Sequence, residues 1–172
     1  VSLRARYYDQ RAREFLADHP DGCIVNLGCG LDTRYWRLSH PTAHVVDLDF
    51  PEVIQLRRLL LDPAPRHHLV GTSVLDASWM TQLDQIHPGP YLFFAEGLTI
   101  YLEGKEVRGL VLGLQARFPG SELVLDASEP APRSALVREL RSAMMRRQLG
   151  VGAGAFRFAL HSSQELEGWG SG

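Results

Sequence analysis

Short apolar runs alternate with segments of helical period along this chain, and that alternation restricts the fold more than any other feature. The runs are Cys23-Ile24-Val25-Asn26-Leu27, His44-Val45-Val46-Asp47-Leu48-Asp49, His68-Leu69-Val70-Gly71-Thr72-Ser73, Tyr91-Leu92-Phe93-Phe94-Ala95 and Glu122-Leu123-Val124-Leu125-Asp126. Near-continuous apolar strands of this length suit a parallel sheet covered on both faces. Between and around them lie helical patterns. Tyr8, Ala12, Phe15 and Leu16 have the spacing of an amphipathic helix over residues 5–18. Pro51 stands at a helix start, and Val53, Ile54, Leu56, Leu59 and Leu60 follow as an apolar stripe. Residues 103–118 form a further helix closed by Pro119-Gly120, residues 134–149 another, and Ser162 to Glu167 a short capped one. Such alternation predicts an α/β chain with a doubly wound, mostly parallel sheet and right-handed crossovers.

Composition sets the outer bounds. The 172 residues suit one domain, spanning 1–172, with room for a sizeable core. Eighteen basic and 20 acidic residues give a net charge of -2, which lacks the basic excess of a nucleic-acid surface. No window holds the roughly 18 uninterrupted apolar residues of a membrane span, and Val1-Ser2-Leu3-Arg4-Ala5-Arg6 lacks the apolar core of a signal peptide. Cys23 and Cys29 are separated by strand-like sequence, too far apart for a bridge, so both read as reduced thiols of a cytoplasmic protein. No Cys/His grouping has zinc spacing, and the adjacent His67 and His68 would point to opposite faces of a strand. No metal is expected.

In open α/β sheets, ligands bind beyond the carboxyl ends of the strands. The first strand ends in Gly28-Cys29-Gly30-Leu31-Asp32. Glycines there let backbone approach a ligand closely, although a plain tight turn would also account for them. Cys29 reads as a small residue tolerated between two glycines. A dinucleotide-binding loop needs a third glycine at position 33, and Thr33 stands there instead. The second strand ends on Asp49, about 20 positions past the loop, where a carboxylate can hold two ribose hydroxyls; Asp47 lies deeper on the same face. A helix-capping role is the other reading of either residue. The third strand ends near Ser73-Val74-Leu75-Asp76, where polar and backbone groups could read an adenine edge, and the fourth on Glu96. The ligand implied has ribose and adenine but no pyrophosphate, a description that S-adenosylmethionine fits.

The motif text around these residues resembles the leucine carboxyl methyltransferase family, in its bacterial polyketide O-methyltransferase branch of the tetracenomycin type. Val25-Asn26-Leu27-Gly28-Cys29-Gly30-Leu31-Asp32-Thr33-Arg34, followed by Tyr35-Trp36-Arg37-Leu38, matches the family's first motif. Val46-Asp47-Leu48-Asp49-Phe50-Pro51 and Ala95-Glu96-Gly97-Leu98-Thr99-Ile100-Tyr101-Leu102 match its second and fourth. The resemblance covers about Arg4 to Trp169. It implies a Rossmann-like, class I methyltransferase domain that uses S-adenosylmethionine, with Arg4 (or Arg6 beside it) on the methionine carboxylate, since an arginine fork donates two parallel hydrogen bonds. Relatives often carry an acidic residue where Ser73 stands, so the adenine contact falls to Ser73 with Val74 or to Asp76. The family's N-terminal lid and C-terminal strand pair are not visible in this sequence, and a chain incomplete at both ends is expected.

The cofactor-binding set is therefore Arg4, Gly28, Cys29, Gly30, Asp49, Ser73, Val74 and Glu96. The expected activity is O-methyl transfer to a carboxyl or hydroxyl group of a small, polyketide-like molecule. A carboxylate acceptor needs no general base, and for a hydroxyl acceptor the sequence offers only Tyr101 or His161 as substrate-side groups. Two alternatives stand beside this reading: a nicotinamide-dinucleotide enzyme, which Thr33 disfavours, and a domain that binds S-adenosylmethionine without turnover. The sequence carries no statement of oligomeric state.

Overall fold

A computed structural model describes residues 2–62, 64–127, 158–160, 165–166 and 168–170. The elements run α1 (Leu3–Asp18), β1 (Cys23–Leu27), α2 (Arg34–Leu38), β2 (His44–Asp49), α3 (Pro51–Leu60), β3 (His67–Gly71), α4 (Ser78–Ile86), β4 (Tyr91–Ala95), α5 (Gly104–Arg117) and β5 (Glu122–Leu125). All strand pairs are parallel, and the order across the sheet is β3-β2-β1-β4-β5. This is the Rossmann-like arrangement expected from the alternating pattern. The order reverses beside β1, which places the ligand-binding crevice of such a sheet at the ends of β1 and β4. The helix expected over residues 134–149 lies outside the described residues. Of the short helix expected over Ser162 to Glu167, only Glu165 and Leu166 are described, and both are helical.

The chain divides into two compact units, Val1–Glu96 with Gly113–Leu125, and Gly97–Leu112 with Asp126–Gly172. The whole sheet belongs to the first. Strand pleating sends alternate residues to opposite faces. Ile24, Val45, Leu92 and Phe94 form one core layer with Tyr8, Ala12, Phe15 and Leu16 of α1. On the other face Phe93 meets Trp79 of α4, and Tyr91 and Phe93 stack against Phe118. Cys23 and Cys29 are both buried and free, and burial pushes the Cys23 thiol up to about 12 and the Cys29 thiol higher. Neither is a poised nucleophile. Among the described residues no helix is long and apolar enough to cross a membrane.

Two features differ from expectation. The short helices α2 and α4 have no counterpart in the sequence reading, being too short to show a period. The apolar stripe of α3 is not its inner face: Ile54 is buried, but Leu56, Leu59 and Leu60 are exposed, and Arg57 turns inward instead. Arg57 is fully buried because Asp47 is there to meet it. Its Nη2 donates to Asp47 Oδ2, and its Nη1 donates to the carbonyls of Gly30 and Asp32 at 2.8 Å each. Asp47 also takes His67 Nε2 at 2.6 Å and Asn26 Nδ2 at 2.6 Å. Removing one partner of a buried pair leaves an uncompensated charge. Arg57→Met should therefore lower unfolding free energy by about 3–5 kcal/mol, read from urea denaturation. A loss below about 1 kcal/mol would show that Asp47 is satisfied without it.

Candidate functional site

The strand-end loop after β1 begins with two left-handed residues, Gly28 at φ 65° and Gly30 at φ 51°. Side chains rarely adopt that region, so glycine is required at both positions. A Cβ added at Gly30 would have no heavy atom within 4 Å, so the backbone there borders open space. The loop is stitched to β2 by Cys29 N donating to Leu48 O at 3.1 Å, and by Gly30 N donating to Asp49 Oδ2 at 2.8 Å. Asp49 Oδ1 accepts Phe50 N at 2.7 Å. Asp49 is only half-buried, so its carboxylate sits at the rim, held on two amides. With about four lone-pair positions on a carboxylate, two stay available to hydroxyl donors. Asp47, by contrast, is engaged inside the fold by Asn26, Arg57 and His67. The loop leads into a five-residue helix, Arg34–Leu38, with Thr33 at its cap. So short a helix offers little of the dipole on which a pyrophosphate is usually seated.

Glu96, directly after β4, meets Arg4 from the start of α1. Arg4 Nε donates to Glu96 Oε1 at 2.8 Å, so two residues 92 positions apart come together as an ion pair. The other carboxylate oxygen accepts Arg34 Nη2 at 2.6 Å. After β3, Ser73 O accepts Asp76 N at 3.0 Å and Ser73 Oγ accepts Leu75 N at 3.2 Å, which makes a tight turn. Val74 is buried and its carbonyl accepts the Trp79 indole N–H at 3.0 Å. Asp76 accepts Ser78 N at 3.0 Å at the start of α4, and that amide holds its carboxyl below the usual range. Asp76 thus holds the first amide of α4 from just outside the helix, whose cap position is Ala77, while Ser73 is half-buried at the strand end. Arg6 is exposed on α1. Tyr101 closes a 3₁₀ turn, Thr99–Tyr101, in the second unit and is 59% exposed. In that unit Gly97 N donates to Asp126 Oδ1 at 2.8 Å and Thr99 Oγ1 to the Asp126 carbonyl, which pins the turn. His161 lies outside the described residues.

Residues that the sequence reading left without a role organise the site. Arg34 is buried and donates Nε to Asp9 at 3.3 Å, Nη1 to Asn26 Oδ1, and Nη2 to Glu96, with Asp32 Oδ2 at 3.1 Å. Its guanidinium also lies over the Phe94 ring at 4.7 Å. Arg37 donates Nε and Nη2 to the two oxygens of Asp9 at 2.7 and 2.8 Å, and Nη1 to Asp32 and Thr33. Asp9 of α1 is therefore clamped between two arginines of α2. Asn26, a polar residue inside an apolar strand, was the visible signal for this network. The two arginines stood inside the quoted motif text, but nothing in the spacing showed that Arg34 is buried.

Comparison with known proteins identifies the family and the fold. The family profile described as leucine carboxyl methyltransferase matches residues 1–114. The chain belongs to that family. It is 35% identical over 131 residues to the tetracenomycin polyketide synthesis O-methyltransferase of Streptomyces glaucescens, covering 76% of this chain and 48% of that protein. It is 33% identical to an S-adenosyl-L-methionine-dependent methyltransferase of Gibberella zeae, covering 78% of this chain and 47% of the relative. The chain thus spans about half the length of the curated relatives it matches. Among solved structures it resembles a Thermobifida fusca protein assigned as a methyltransferase, with a TM-score of 0.61, 23% identity, and coverage of 86% and 59% of the two chains. Human N-acetylserotonin methyltransferase in complex with SAM gives 0.58 at 14% identity, covering 86% of this chain and 41% of that one. These likenesses show the fold of class I methyltransferases.

Burial opposes ionisation of Asp9, but the hydrogen bonds and charge of Arg37, with those of Arg34, hold its carboxyl below the usual range. A carboxyl lowered in the folded state stabilises the fold above its unfolded value and loses that contribution as pH falls through the folded one. Asp9→Asn should therefore cost about 3–5 kcal/mol near neutrality. The gap between variant and parent should narrow below about pH 3.9, the unfolded value, in denaturation series across acid pH. A gap that widens on acidification would contradict the assignment.

Proposed function

We propose that this chain binds S-adenosylmethionine across the carboxyl ends of β1 to β4 and belongs to an enzyme that transfers the methyl group to an oxygen of a small molecule. The reading rests on one observation above the others: the half-buried Asp49 carboxylate, held by the amide of Gly30, one of two left-handed glycines in the loop and the one whose backbone borders open space. That arrangement fits a ribose laid against the glycine loop, with both hydroxyls donating to Asp49. Gly28, Cys29 and Gly30 supply backbone with no bulky side chain in the way. Ser73 with the Val74 backbone is assigned the adenine edge, because Asp76 is turned to the Ser78 amide at the start of α4. Glu96 orients the Arg4 guanidinium, which is assigned the carboxylate of the methionine portion. The chain is read as one such domain, and Tyr101 as a residue whose hydroxyl could serve an acceptor. The names of the relatives support an oxygen acceptor, either a carboxyl or a polyketide-like hydroxyl group.

Bound there, the cofactor supplies a methyl group activated by its sulfonium. The chain's own residues bind and orient. Asp49 takes ribose hydroxyl protons in hydrogen bonds, and the Arg34, Asp9 and Arg37 set holds Glu96 in place. Rigid placement of reactants can account for a large share of the rate in such a displacement.

Calorimetry with S-adenosylhomocysteine tests the reading. Binding should be one to one, and Asp49→Ala should weaken it by about a hundredfold or more, the loss of two hydrogen bonds to a charged group at about 1.5–3 kcal/mol each. Absence of binding, or a nicotinamide dinucleotide displacing S-adenosylhomocysteine, would overturn it. Transfer of labelled methyl to carboxyl and phenol acceptors then separates a transferase from a domain that only binds.

A further inference from the structure

We propose that the amino edge of the sheet holds a divalent first-row transition metal ion between Asp21, His44 and His87. β1 lies between β2 and β4, and Cys23 pairs with His44 on one side and Tyr91 on the other. Asp21 sits two residues before Cys23, and His87 four before Tyr91. One ligand atom from each of Asp21, His44 and His87 lies within 4.8 Å of the others, the one such group among the described residues. His87 Nε2 is 3.7 Å from Asp21 Oδ2. All three belong to the unit that contains the sheet, and none takes part in the site at the carboxyl edge.

The supporting framework is already tied down. His44 N donates to Gly22 O at 3.1 Å and Cys23 N to Pro90 O at 2.9 Å, while the Tyr91 hydroxyl donates to the His87 carbonyl. Behind His44 stands His68, its Nε2 3.1 Å from His44 Nδ1 and the two rings stacked 6° from parallel. With Nδ1–H of His44 donating to His68, the lone pair of His44 Nε2 is left for an ion, the usual outer-shell arrangement around a ligating histidine. Two imidazoles and a carboxylate suit Zn²⁺ or Co²⁺ rather than Mg²⁺ or Ca²⁺, which prefer all-oxygen sets. Asp21 is exposed, so the remaining coordination position opens to water. Two local contacts must yield. Arg66 Nη1 lies 3.7 Å from Asp21 Oδ1 and competes for it. Gly89 N donates to His87 Nδ1 at 3.1 Å, and ligation through Nε2 moves the ring proton onto Nδ1, so that amide must let go.

The full chain titrated with Co²⁺ and Zn²⁺ tests the site. Co²⁺ should bind one to one with ligand-field bands in the visible, and Zn²⁺ should displace it and raise the thermal midpoint. Asp21→Asn, at an exposed position that leaves the fold intact, should weaken binding at least about tenfold, and His68→Gln about tenfold to a hundredfold. His19→Gln, at a ring that lies on Phe15 with centroids 4.8 Å apart and is not part of the ligand set, should leave it unchanged. Zn²⁺ should shift the Gly89 amide resonance. No stoichiometric binding, an affinity indifferent to Asp21→Asn, or a Gly89 amide that stays in place while the ion binds would each overturn the proposal.

Discussion

The carboxyl edge of this sheet depends on one buried guanidinium. Arg57 projects from α3 into the fold, where its Nη2 meets Asp47 and its Nη1 meets the carbonyls of Gly30 and Asp32. Desolvating a cation is costly, and the arrangement is tolerable only because an anion and two carbonyls are fixed around it. The consequence is directional. With the Gly30 carbonyl drawn inward to Arg57, the Gly30 amide is left to donate to Asp49 at the rim. The same residue pair thus sets the loop conformation and the position of the carboxylate assigned to ribose.

A second guanidinium carries the constraint across to β4. Arg34 reaches Asn26 in the middle strand, Asp9 on α1 and Glu96 beyond β4. Arg37 fastens Asp9 from the other side. The start of α1, where Arg4 sits, is therefore registered against the strand ends by charge as well as by the packing of Phe15 and Leu16. Hydrogen-bonded networks of this kind position first-contact groups to fractions of an ångström, which is what a binding site on short loops otherwise lacks.

The strands and the longer helices were legible because burial on a parallel sheet writes itself as apolar runs, and α1 as a period of Tyr8, Ala12, Phe15 and Leu16. The glycine loop, Asp49 and Glu96 were legible because they follow those runs. What failed was inference from hydrophobicity about α3, whose leucines at 56, 59 and 60 face outward while Arg57 faces in. An arginine is read as exposed unless its buried partner is known, and Asp47 was visible only as a second acid in a strand. The same blindness hid the roles of Asp9, Arg34 and Arg37. Spacing along the chain also concealed the cluster of Asp21, His44 and His87, which meet only because β1 separates β2 from β4.

The two edges of the sheet are joined by strands, and the set Asp21, His44 and His87 shares no residue with the set Gly30, Asp49 and Arg57. His44 begins β2 and Asp49 ends it, five residue steps or about 16 Å along an extended strand. Over that length, about two Debye lengths of 8–10 Å, the direct electrostatic effect of an ion on the Asp49 carboxylate is weak. Any influence must pass through the order of the strand itself. The central part of β2 is already fully buried and paired on both sides. Tightening its first residue therefore changes the opening of the sheet's amino edge and leaves the Asp49 rim where Arg57 has set it. Binding at the histidine edge should act on stability, and binding at the glycine edge on chemistry, with β2 buried and paired along the length between them.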